Sequence, residues 1–153
     1  IVAADIWIFL NLTLAILMSI PAINKYTHGT HITVAHAMGS TIGINTMILF
    51  ASLYYIFERN DGAVKNRKTR IGFFVVNLSL ILFCVTLIIS GIVKAMEVEN
   101  GMAFQKMMLQ LQPLFKMLNS AGLGIFAGLF LLSIPLLTKF SKIILSTDKL
   151  LSK

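Results

Sequence analysis

Residues 71–93 read IGFFVVNLSLILFCVTLIISGIV, an apolar segment of 23 residues without a charged side chain. The hydrocarbon core of a bilayer is about 30 Å thick, so a helix needs about 20 mostly apolar residues to cross it. A strand of a membrane β-barrel would instead alternate in polarity, and the run Phe73-Phe74-Val75-Val76 does not. The segment therefore predicts a transmembrane α-helix.

Three further segments have the same apolar character, at residues 1–20, 32–57 and 114–137. The whole chain agrees with them, because 57% of its 153 residues are hydrophobic and only 12% are charged. A soluble domain has about 25% charged residues, so this composition excludes one. The sequence predicts an all-α integral membrane protein, with four transmembrane helices in a single membrane domain.

The basic residues indicate how these helices are oriented. Five of the 13 Lys and Arg residues lie in the loop 58–70, and four more lie in the tail 139–153. Cytoplasmic loops are enriched in Lys and Arg, so we expect this loop and the C-terminus to be cytoplasmic and residues 21–31 to face outward. The net charge of +7 then belongs at the membrane surface, and we expect no nucleic-acid partner.

The last span carries two local predictions. Residues 102–109 are expected to form a short interfacial helix before Pro113 begins the span. Small residues at Gly122, Gly124 and Gly128 are typical of close packing between membrane helices.

All three histidines of the chain fall within nine positions, at His28, His31 and His36. A histidine inside a membrane helix is costly to bury and marks a functional site by default. His36 lies about one turn inside the second span, on a polar or small face that has room for a flat ring or a neighbouring backbone. The other residues of that face are Thr33, Ser40, Gly43 and Met47.

Met38 follows His36 by two residues, which turns it about 200° around the helix axis. Imidazole nitrogen and thioether sulfur are both axial ligands of haem iron, and both are neutral, so one helix could serve two haem sites. Plainer alternatives are a packed core methionine and a histidine bonded to a neighbouring helix. The three histidines also fit a zinc or copper site, and those at 28 and 31 fit bonds to lipid phosphates or cofactor propionates.

Residues 3 to about 52, and above all 19–38, resemble the C-terminal part of the large subunit of bacterial nitric oxide reductase, in the haem–copper oxidase superfamily. The resemblance rests above all on Tyr26-Thr27-His28-Gly29-Thr30 and Thr33-Val34-Ala35-His36, and it extends to the last two spans only in hydropathy and order. It implies a twelve-helix catalytic subunit, of which these are the last four helices. That subunit carries a low-spin and a high-spin haem b beside a non-haem iron, and it reduces two NO to N2O.

The same resemblance implies roles for three residues. In that family the helix carries His-x-His, whose first histidine ligates the high-spin haem and whose second ligates the low-spin haem. His36 stands at the first position and Met38 at the second, which implies a His/Met-ligated haem with a raised potential. His28 is implied near the haem propionates. The ligands of the non-haem iron belong to earlier helices, so we expect the chain to be part of a longer subunit.

The resemblance also implies a setting in the bacterial inner membrane. The partners are then the rest of the catalytic subunit, the lipid bilayer, and a cytochrome c subunit or quinol as electron donor. Two alternatives remain: a fragment of an oxygen-reducing haem–copper oxidase subunit I, and a four-helix membrane scaffold without a redox role. A transporter is disfavoured because no span carries a charge at the bilayer midplane.

Overall fold

The computed structural model describes residues 1–61 and 67–151, with side chains at 1–58 and 67–145. Every regular element in these residues is helical. In chain order they are α1 (Val2–Ser19), α2 (Pro21–Thr27), α3 (His31–Met38), a π-helical segment (Gly39–Thr46), α4 (Met47–Asp61), α5 (Arg67–Glu99) and α6 (Phe104–Leu151).

Four helical stretches are long and apolar enough to cross a membrane. They are Val2–Ser19, His31–Glu58, Arg67–Glu99 and Phe104–Leu145, and the second joins α3, the π segment and part of α4. The predicted all-helical fold with four membrane-crossing helices is therefore confirmed. The helices reach further than the apolar runs, because α4 continues to Asp61 and α5 already begins at Arg67.

The predicted interfacial helix over residues 102–109 is wrong. α6 is a single helix from Phe104 to Leu151 with Pro113 and Pro135 inside it. Met107 and Leu111 are buried, so the first turns of α6 pack against the rest of the bundle and continue directly into the last span. Proline removes one N–H from the hydrogen-bond ladder and crowds the carbonyl four residues earlier, yet the helix continues through Pro113.

The pair α5–α6 is held together by glycines that let the two backbones approach. A Cβ added at Gly128 would lie 2.6 Å from the backbone nitrogen of Val76, and one added at Gly72 would lie 2.9 Å from the carbonyl oxygen of Gly128. Gly124 packs in the same way on Ser79. The prediction of close packing through small residues is confirmed at Gly124 and Gly128.

The helix α1 packs on the π segment by the same principle. Gly43 lies against the indole of Trp7, and Gly39 lies against the side chain of Asn11. The amide of Asn11 donates a hydrogen bond to Ser40 Oγ at 2.5 Å. These contacts fix how the second long helix sits against the first.

Candidate functional site

Threonines build the turn that leads into the histidine-bearing helix α3. Thr30 Oγ1 accepts a hydrogen bond from the amide of Ile32, so it is the N-cap of the helix. The hydroxyls of Thr30 and Thr33 both donate to the carbonyl of Thr27, at 2.7 and 3.1 Å. Gly29 completes the turn with φ of +69°, a left-handed conformation that favours glycine. The motif around Thr27 therefore sets the direction of α3.

The three histidines do not come together as ligands of one metal ion. His28 is exposed at the end of α2, whereas His31 is half-buried with its ring centroid 5.6 Å from that of Phe115. Among the residues that the structure describes, no three His, Cys, Asp or Glu side chains form a group suited to a metal ion. The zinc or copper alternative therefore finds no support in this geometry.

His36 is half-buried on α3, and its Nδ1 atom is buried without a hydrogen-bond partner. A buried polar atom left unpaired is costly, so its persistence calls for an explanation. Met38 is also half-buried and lies outside the buried core. Because the backbone is regular α-helix from His31 to Met38, the two side chains leave the helix on nearly opposite faces.

The predicted face of Thr33, His36, Ser40, Gly43 and Met47 is broken by the π segment, so that prediction is wrong beyond Ser40. A π-helix bonds i to i+5 and has wider turns than an α-helix, which shifts the residues that follow around the axis. The buried face instead runs at intervals of four residues. Its members are Ala35, Gly39, Gly43 and Met47, and the indole of Trp7 fills the space beside Gly43.

A pocket of about 300 Å³ opens beside His28, at the end of the bundle formed by α2 and the last turns of α5. Its charged lining residues are Lys25, Lys94 and Glu99. Lys25 Nζ lies 3.6 Å from Glu99 Oε1, and Lys94 Nζ donates to the carbonyl of Gly29 at 3.3 Å. Two ammonium groups against one carboxylate make the pocket suited to an anion.

Tyr26 and Glu99 shape the electrostatics of this pocket. Tyr26 OH donates to Glu99 Oε1 at 3.3 Å, and Lys25 Nζ lies 5.0 Å from the centre of the Tyr26 ring. The pKa of Lys25 is raised above its ordinary value of 10.5, first by Tyr26 and then by Glu99. Lys94 and Glu99 are far from His28 along the chain, so the sequence predicts no role for them at this site, and only the fold brings them together.

The family described as cytochrome c and quinol oxidase polypeptide I matches residues 2–137, which include all four long helices up to Leu137. The chain belongs to this family. Members of this haem–copper oxidase subunit I family are oxidoreductases that typically bind haems, so the coarser part of the functional prediction is confirmed. None of the curated proteins and none of the solved structures compared with the chain matches it significantly.

Membership in the haem–copper oxidase subunit I family allows the donor atoms of this chain to be tested against a haem. His36 supplies a neutral nitrogen donor and Met38 a neutral sulfur donor, both of the type found as axial haem ligands. Both side chains are half-buried rather than packed in the core, so each has a face open to a further group. The donor set therefore fits haem.

Proposed function

We propose that this chain is the C-terminal haem-binding portion of a membrane nitric oxide reductase. The overall reaction takes two NO, two electrons and two protons to N2O and water. His36 carries the proposal, because its half-buried imidazole stands at the ligand position of the resemblance in a chain that belongs to a haem-binding family. His31 also has a buried Nδ1 without a partner, so that feature alone does not distinguish the two histidines. Residues 26–36 resemble the NO enzyme, which favours it over an oxygen-reducing relative.

His36 is proposed as the proximal ligand of the high-spin haem. The Thr27 turn fixes the start of α3, and the contacts of Gly39 and Gly43 with α1 fix its continuation, so the imidazole is held on a rigid helix. When bound, the high-spin haem and a non-haem iron held by residues outside this chain supply the redox chemistry. His36 would hold its ring nitrogen in place as the ligand.

Met38 is proposed as a ligand of the low-spin haem. It leaves α3 about 200° from His36, so a group that it binds lies on the other side of the same helix. A thioether in place of an imidazole raises the reduction potential of a haem. In this proposal the low-spin haem, which transfers electrons, and the high-spin haem, where NO reacts, lie on opposite sides of the same helix.

His28 is proposed to bind haem propionates at the outer surface, together with Lys25 and Lys94. The three side chains line one pocket, and its excess of ammonium over carboxylate groups matches an anionic partner. His31 begins α3 and His36 lies about 8 Å further along its axis, a spacing set by the rise of an α-helix. The pocket thus lies toward the end of the helix that carries His36.

The setting of the protein follows from the same proposal. Loop 58–70 and the C-terminal tail are assigned to the cytoplasm by their nine basic residues, and the histidine-bearing end of α3 to the outside of a bacterial inner membrane. Electrons would come from a cytochrome c subunit or from quinol. The remaining haem and iron ligands would come from other helices of the catalytic subunit.

The test is a reduced-minus-oxidised spectrum, a pyridine-haemochrome assay and an NO consumption assay on the purified complex that contains this chain. We expect two b-type haems in the wild type, and loss of the high-spin haem with NO turnover in His36→Ala. Thr41→Ala is the matched control, since Thr41 lies on the same long helix, is exposed, and its hydroxyl donates only to the nearby carbonyl of Ala37. It should keep both haems.

Two alternatives give different results in the same assays. An oxygen-reducing haem–copper oxidase would show the haems but consume O2 in preference to NO. A membrane scaffold without a redox role would show no haem, and His36→Ala would leave absorption unchanged. If a folded His36→Ala variant retained the high-spin haem, His36 could not be its proximal ligand.

A further inference from the structure

A second cavity, of about 790 Å³, lies at the opposite end of the bundle from the His28 pocket. It opens between the end of α4 and the start of α5, and pockets that hold small molecules span about 300–1,000 Å³. One side of the cavity is apolar and the other is polar. Its apolar wall includes Met47, Phe50, Ala51, Phe73 and Leu132.

The polar rim of this cavity carries Arg67, Arg70 and Glu58. The two arginines are three residues apart on α5, so they share one face of the helix. Both are exposed, and among the residues whose side chains are described neither guanidinium has a hydrogen bond or an ion pair. Both guanidinium groups are therefore available to an anion, for which Arg offers a bidentate fork.

The depth of the cavity is that of a membrane surface. The apolar run of α5 begins at Ile71, directly after Arg70, so the guanidinium groups lie at the edge of the hydrocarbon region and the wall formed by Phe73 lies within it. A basic cluster of this kind at the end of membrane helices is suited to a lipid headgroup. A free phosphate ion would contact only the charged rim and would make no contact with the apolar wall.

The charge of the rim narrows the ligand class. Among the lining residues whose side chains the structure describes, two arginines and Glu58 leave a formal excess of one positive charge, which matches the single negative charge of a phosphodiester. We propose that the cavity binds one anionic glycerophospholipid, with its phosphodiester on Arg67 and Arg70 and its acyl chains along Phe50 and Phe73. This site is independent of haem binding and of NO reduction.

The floor of the cavity is already held in place without a ligand. Tyr54 OH donates to the carbonyl of Leu132 at 2.7 Å and lies 3.3 Å from Thr69 Oγ1, which joins α4, α5 and α6. These groups are partnered, so the lipid is expected to bind to a preformed surface. Removal of the rim charges should then weaken lipid binding without unfolding the bundle.

The experiment measures phospholipid retained by the purified complex that contains this chain, by mass spectrometry, after exchange into detergent with phosphatidylglycerol or phosphatidylcholine. We expect the wild type to retain phosphatidylglycerol in preference. R67Q/R70Q should bind it about 30-fold more weakly, because each basic residue at an anionic surface contributes on the order of fivefold. The control K106Q/K116Q removes two exposed lysines at the other end of the bundle and should bind as the wild type does.

A second variant tests the apolar wall and leaves the rim charges intact. Ala51→Phe places a ring in the cavity, so it should displace the acyl chains and lower lipid retention while the complex stays folded. Inorganic phosphate is added in a competition arm. The proposal is overturned if R67Q/R70Q retains lipid as well as the wild type, if K106Q/K116Q loses as much, or if phosphate alone competes fully and Ala51→Phe has no effect.

Discussion

Gly128 of α6 packs directly on the backbone of Val76 in α5, where an added Cβ would meet the Val76 nitrogen at 2.6 Å. Val76 has no exposed surface, and the contact joins the two longest helices of the fold. Without a hydrophobic driving force between helices in lipid, such close approach is a main source of helix association. The pair α5–α6 thus forms the frame on which the rest of the bundle is placed.

Gly128→Ala is expected to destabilise the protein by about 1–3 kcal/mol, because the added methyl group overpacks a contact made by backbone atoms. Gly122→Ala is the matched control, since its Cβ would meet only Phe83 at 3.9 Å, an ordinary contact. The control should be neutral or slightly stabilising, because alanine is the better helix former. Unfolding in detergent measures both, and equal stability of the two variants would contradict the packing argument.

Trp7→Phe is expected to cost about 0.5–1.5 kcal/mol, because it removes the hydrogen bond from Trp7 Nε1 to Asn77 Oδ1 at 2.9 Å. The indole also covers Gly43, so part of the loss comes from packing. A double-mutant cycle with Asn77→Leu separates the two contributions. If the hydrogen bond stabilises the fold, the coupling energy should be about 0.6 kcal/mol, the average for hydrogen bonds between membrane helices. A coupling energy of zero would show that the bond does not contribute to stability.

Met38→His tests the proposed low-spin haem ligand. An imidazole can replace the thioether as an axial ligand, so the variant should keep the low-spin haem but lower its reduction potential. Met38→Leu offers no donor atom and should lose the low-spin spectrum. Redox titration followed by visible absorption measures both variants. Unchanged potentials in both would exclude Met38 as a ligand without affecting the assignment of His36.

The pKa of Lys25 is raised by Tyr26 and by Glu99, in that order of size. A raised pKa means that the folded state binds the proton more tightly, so the stabilisation is complete below pH 10.5 and is lost as the pH rises through the higher folded value. Tyr26→Phe should therefore lower this pKa more than Glu99→Gln does. The pKa of Lys25 is measured from the pH dependence of its acylation, read by mass spectrometry. A larger decrease in Glu99→Gln than in Tyr26→Phe would contradict the larger effect of Tyr26.

The position of the candidate site on the second long helix could be predicted in part. Hydropathy located the helix, and the spacing of His36 and Met38 determined that they leave it on opposite faces, because residues 31–38 are regular α-helix. Which residues beyond Ser40 share the face of His36 could not be predicted. The π segment after Met38 has more residues per turn than an α-helix, so it rotates the later residues, such as Met47, away from that face. Gly39 and Gly43, four residues apart, are the signal in the sequence that a neighbouring helix packs there.

The sequence by itself determined the four apolar helices, because the bilayer requires runs of about 20 apolar residues whose backbone bonds are satisfied internally. It also determined which residues carry donor atoms, at His28, His36 and Met38. Only the tertiary structure decided that Lys94 and Glu99 join His28, that Arg67 and Arg70 border a cavity, and that α6 continues through Pro113. These depend on which helix faces meet, and in lipid that is decided by the fit of small residues such as Gly128, not by hydropathy.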